Sequence, residues 1–184
     1  MVLVRGLSGG CTSSTLPARL TREQRALVNS TRFHATVGVD QYKFSVYSDR
    51  LIPALQATGL FDRVDSLARF PEPPTFVARV ARPIYGTATI PFLTGISLGL
   101  IPNWGQEEHG DAFWLIPSAR RQDSLLVDFS YRGPSVLGWV CVLLNLTPSF
   151  TAGDPDGHPR FSQALAYTIA VQGPEIASLA ATKR

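Results

Sequence analysis

Ser97 stands at the centre of Gly95-Ile96-Ser97-Leu98-Gly99, a literal G-x-S-x-G. Small residues on both sides of a serine suit a strained strand-to-helix turn that exposes the hydroxyl. A histidine and a carboxylate can then complete an acyl-transfer site. Asp111 and His158 follow in the order Ser, Asp, His, with His109, Asp154 and Asp156 as further candidates for base and orienting group. The flanks oppose this chemistry. Leu100-Ile101-Pro102-Asn103-Trp104-Gly105 follows the serine where a helix is required, and Pro102 breaks it. Gln106-Glu107-Glu108-His109-Gly110-Asp111 could converge as a metal or acid–base site. Its flanking glycines, Gly105 and Gly110, favour a solvated hairpin loop instead. Asp154-Pro155-Asp156-Gly157-His158-Pro159 lacks the later acidic ligands of a calcium loop and reads as a turn. The two cysteines, Cys11 and Cys141, form no C-x-x-C. The expectation is no metal site and no cofactor.

The elements that must position these residues can be read from periodicity. Thr21 and Gln24 have capping-box spacing for a short helix through about Val28. Phe33, Ala35, Val37 and Val39 alternate with His34, Thr36, Gly38 and Asp40, the pattern of a half-buried strand. A helix is expected from about Ser45 to Thr58, with Gly59 as its stop and Pro53 either bending it or marking its first turn. Leu60 to Val64 returns to extended chain. Pro71-Glu72-Pro73-Pro74 is a stiff turn before a second strand, Thr75 to Arg82. Ala112 to Ile116 and Ser124 to Arg132 read as an antiparallel hairpin about a charged turn. Pro159 opens a helix to about Val171, and a further short helix follows Gly173-Pro174.

Two uncharged runs complete the chain. Pro83 to Gly105 is long enough to span a bilayer, but Pro83, Pro91 and Pro102 divide it, so an apolar connection and a short strand at Ser97 to Ile101 are expected. Val136 to Leu146 is too short to span and should pack on the sheet through Trp139, Val140, Leu143 and Leu144. The expected fold is α+β: a single domain with a mainly antiparallel sheet of four to five strands and two or three helices packed on one face.

Composition limits the function classes. Charged residues make up only 17% of the 184 residues, against about 25% in typical soluble domains. The net charge of +3 comes from scattered arginines, with no basic stripe or stacking aromatics of the kind nucleic acid requires. A nucleic-acid partner is therefore not expected.

Residues 1–11 read as a leader. Leu7, Gly10 and Cys11 resemble a bacterial lipobox, in which the cysteine becomes the lipid-bearing first residue; Ser8 stands where that motif usually has leucine. Residues 12–32 read as a tether and short helix, and 33–184 as the α+β domain. Five landmarks together resemble uncharacterised bacterial envelope lipoproteins: Cys11 with its tether, Gly59-Leu60-Phe61-Asp62-Arg63-Val64, Leu98-Gly99-Leu100-Ile101-Pro102, Val127-Asp128-Phe129-Ser130-Tyr131, and the Trp139 run with its following helix. The resemblance implies a compact domain facing the periplasm, held to the membrane through a lipid on Cys11. It also implies non-enzymatic action by contact with a protein or other envelope partner. The alternative is a small serine hydrolase using Ser97, Asp111 and His158.

Overall fold

A computed structural model describes residues 12–40, 46–83, 103–120, 122–137, 150–152 and 158–181. The expected strand at Ser97 to Ile101 and the apolar run from Gly138 to Ser149 lie outside the described residues. The elements in order are β1 (Thr12–Thr15), α1 (Arg22–Ser30), β2 (Phe33–Val39), α2 (Val46–Thr58), β3 (Phe61–Ser66), a 3-10 turn at Leu67–Arg69, β4 (Phe76–Pro83), β5 (Asn103–Pro117), β6 (Leu125–Leu137), β7 (Phe150–Ala152), α3 (Pro159–Val171) and α4 (Gly173–Ala181).

The chain divides into two compact units. The larger comprises Ala18–Ile84, Gly110–Ser130 and Pro159–Arg184. Among the described residues it contains four helices and five strands in the order β3-β2-β4-β5-β6. The fold is α+β, with a mixed and mostly antiparallel sheet. Strand β2 is the exception to the antiparallel rule, being parallel to both β3 and β4. A parallel pair cannot be closed by a tight turn, and α2 is the crossover that joins β2 to β3. In the smaller unit β1 pairs antiparallel with β6 and with β7. The strand at Thr12–Thr15 was not anticipated within the stretch read as tether.

Local chemistry accounts for most of the boundaries. The capping box is complete: the Gln24 amide donates to Thr21 Oγ1 at 3.2 Å, and the Thr21 amide donates to Gln24 Oε1 at 2.8 Å. Pro53 lies inside α2 with its ring exposed, where the helix tolerates it. Gly59 ends that helix with φ of 66°, a left-handed conformation that costs a residue with a Cβ about 1–2 kcal/mol. The chain then re-enters the sheet, the Phe33 amide donating to the Leu60 carbonyl at 2.8 Å.

One face of the larger unit's sheet is the core. Phe33, Ala35, Val37 and Val39 of β2 alternate into it, joined by Phe76 and Ala78, Phe113 and Leu115, and Val127 and Phe129. Helix α2 packs across β3, β2 and β4, contributing the buried Leu51 and Leu55. Helix α3 adds Phe161, Leu165 and Ile169, and the Phe161 ring meets Phe129 edge-on at 5.0 Å. Helix α1 buries no residue and lies against α3 at the periphery.

The polar cluster at Gln106–Asp111 differs from expectation. It is not a hairpin loop but part of β5, whose backbone stays extended from Asn103. Strand β4 reaches the end of the cluster, since its Pro83 pairs with Asp111. There the partner strand overrides the local polarity.

Two substitutions test this packing. Gly59→Ala should lower unfolding free energy by about 1–2 kcal/mol in denaturant melts, purely through backbone conformation, because an added Cβ meets nothing within 4 Å. Phe161→Ala should cost about 3–5 kcal/mol, since the ring is fully buried. Equal losses from the two would contradict this assignment of the core.

Candidate functional site

The sheet face opposite the helices carries a groove of about 700 Å³. Its floor is formed by Val77 and Ile116, cross-strand partners in the β4–β5 ladder. Its wall is the segment from Leu67 to Pro74, with Phe70 and the prolines turned toward the floor. Asp40 and Arg79 provide its charged end, and Ser118 also lines it.

Gly38 is what lets this wall close on the sheet. A Cβ there would lie 2.8 Å from both Leu67 Cδ1 and Pro74 Cγ, and 3.3 Å from the Leu67 Cα. The wall is then tied to the sheet by hydrogen bonds. The Thr75 amide donates to Thr36 Oγ1 at 2.9 Å, and the Thr36 amide to Thr75 Oγ1 at 3.2 Å. The Ser118 hydroxyl donates to the Pro74 carbonyl, and the Ser118 amide to the Thr75 carbonyl at 3.1 Å.

A charged cluster holds Phe70 from behind. The Arg63 guanidinium sits 4.5 Å from the centre of the Phe70 ring, and its Nη2 donates to the Arg69 carbonyl at 3.2 Å. Asp65 pairs with both Arg63 and Arg69 at 3.4 Å. Its carboxyl is held below the usual aspartate range, first by the hydrogen bond it accepts from the Ser66 amide at 2.8 Å and then by the two arginines.

The charged end of the groove is an ion pair. Arg79 donates from Nε at 3.1 Å and from Nη2 at 2.9 Å to a single Asp40 oxygen. The pair is solvent-exposed, worth about 0.2–1 kcal/mol, so its contribution is to orientation more than stability. Trp114, directly opposite Arg79 in the ladder, is 37% exposed on the same face. No histidine lines the groove, and its Ser118 hydroxyl is committed to a backbone carbonyl. This chemistry recognises a largely apolar surface bearing a polar group, and it offers no nucleophile with a base beside it.

The residues singled out from the sequence are not among those that line this groove in the described part of the chain. Ser97 and Cys11 are outside the described residues, as are Asp154 and Asp156. Asp111 belongs to β5 in the larger unit. His158 belongs to the smaller unit, just before α3, and is half-buried and engaged in an interaction of its own. Among the described residues no three His, Cys, Asp or Glu side chains gather to hold a metal ion, and no helix is long and apolar enough to cross a membrane. Asp40 and Arg79, 39 residues apart, had no sequence signal as a pair. The alternation of Val77 and Arg79 against Phe76 and Ala78 was the clue that they share the face away from the core.

The site and fold define the class: an α+β protein with an open, mostly apolar groove between a sheet and a proline-rich segment. Comparison of the chain with family models, curated proteins and solved structures gave no match.

Gly38→Ala should cost about 1–3 kcal/mol in denaturant melts, because Leu67 and Pro74 must both retreat. A neutral outcome would mean that the wall does not close on β2. The Asp65 cluster adds a pH signature. A carboxyl with a lowered folded pKa contributes stability above its unfolded value, about 3.9, and loses it as pH falls through the folded value. The melting-temperature gap between the wild type and Asp65→Asn should therefore be full at neutral pH and close below about pH 4. A gap that stays constant down to strongly acidic pH would refute the arrangement.

Proposed function

We propose that the chain is a non-enzymatic envelope protein, tethered to a membrane through a lipid on Cys11, that acts by binding a protein partner through the groove over Val77 and Ile116. The observation that carries the binding half is the groove itself. It joins an apolar floor to an Arg79–Asp40 pair, with Trp114 partly exposed on the same sheet face and no nucleophile–base couple among its lining residues. Exposed aromatic and arginine side chains beside an apolar floor have the composition of interface centres. The tether half rests on Leu7, Gly10 and Cys11.

Each half has its own test. Mass spectrometry of the native protein from its membrane fraction should find a mature chain beginning at an acylated Cys11, and Cys11→Ser should release the protein from that fraction. An unprocessed chain retaining Met1 and a free thiol would overturn the tether. For the groove, a photo-reactive phenylalanine analogue at position 70 should give a discrete crosslinked adduct in cells, and Arg79→Glu should abolish it. An adduct unaffected by Arg79→Glu would remove the groove as the contact surface.

A further inference from the structure

Glu72 stands between Pro71 and Pro73 in the wall of the groove and is exposed. Among the described residues its carboxylate makes no hydrogen bond or ion pair. The other charges lining the groove, Asp40 and Arg79, are paired with each other. Two carboxylates against one guanidinium leave the groove with a single unmatched negative charge, that of Glu72.

The shape of the groove limits what can lie in it. Its floor runs from the Arg79 level of the ladder to that of Ser118, whose amide bonds the Thr75 carbonyl. Four residues of strand cover about 13 Å. Spread along that length, the 700 Å³ leave a channel roughly 8 Å across, too narrow for an α-helix of about 10–12 Å. The floor offers no ladder to a docking strand either. Strand β4 is hydrogen-bonded to β2 on one side and to β5 on the other, and β5 lies between β4 and β6. In the wall, Pro71, Pro73 and Pro74 have no N–H, and the Pro74 carbonyl already accepts from Ser118. A chain poor in N–H groups avoids burying them unpaired.

The geometry points to one kind of occupant: a proline-rich segment of the partner, in polyproline II conformation, carrying an arginine or lysine that pairs with Glu72. Such a segment has no internal hydrogen bonds to break and is ordered before it binds. Its rings present apolar faces to Phe70, Val77 and Ile116, and one turn of about 9 Å fits the length of the floor. The inference rests on the reading of the groove as a protein-binding surface and names the chemistry of that partner.

The test is fluorescence anisotropy of labelled peptides with the full chain. The probe is a short Pro-Pro-Arg repeat, with Pro-Pro-Glu and Ala-Ala-Arg repeats as controls for charge and for backbone. Pro-Pro-Arg should bind at least about tenfold tighter than either control. Glu72→Gln, at an exposed position and checked by thermal melts, should weaken it about fivefold. Glu72→Lys should reverse the preference in favour of Pro-Pro-Glu. A preference unchanged in Glu72→Lys overturns the site, and equal or tighter binding of Ala-Ala-Arg, a helix former, overturns the occupant. The crosslink from position 70 separates this from the wider reading. An Arg79-dependent adduct without Pro-Pro-Arg binding removes the polyproline segment and leaves the groove as a protein-binding surface, whereas no adduct and no peptide binding overturns both.

Discussion

Strand β2 carries the constraint on which the larger unit depends, because its core face is buried, Gly38 on the other face is covered, and it is hydrogen-bonded along both edges. Toward the helices it buries Phe33, Ala35, Val37 and Val39, and toward the groove it presents Gly38 under Leu67 and Pro74. A strand so enclosed must have its whole backbone paired, and β3 and β4 provide this in parallel on either side. Each parallel pairing needs a long connection. The first is α2, which fills the core. The second is the segment from Leu67 to Pro74, which crosses the other face and becomes the wall of the groove. The groove is thus a consequence of how the chain travels from β3 to β4.

The two sheet faces then diverge in chemistry. The helix-covered face is uniformly apolar and closes with aromatic contacts such as Phe129 on Phe161. The other face mixes Val77 and Ile116 with Thr36, Thr75 and the Asp40–Arg79 pair, and leaves Trp114 and Leu126 partly exposed. Such mixing is poor for a core and well suited to reversible contact. Charged residues orient a partner, while the apolar floor supplies the burial that holds it.

Electrostatics on the larger unit is organised in separate small groups. Arg63 and Arg69 share the single carboxylate of Asp65 in a cluster that steadies Phe70, and Asp40 pairs with Arg79.

What the sequence by itself determined was everything set by neighbours within a few residues. The capping box of Thr21 and Gln24, the stop at Gly59, the alternation through β2 and β4, the start of α3 at Pro159, and the α+β class all follow from hydrogen bonds and side-chain directions local to the chain. The tertiary structure decided what depends on distant partners. Gln106–Asp111 became part of β5, and Asp111 pairs there with Pro83 of β4. Thr12–Thr15 became a strand because β6 and β7 flank it. Asp40 met Arg79, and Arg25 was brought beside Arg160, only when β2 lay against β4 and α1 against α3. Local propensity is written every two to four residues, whereas pairing across tens of residues is chosen by which surfaces the whole chain can bury together.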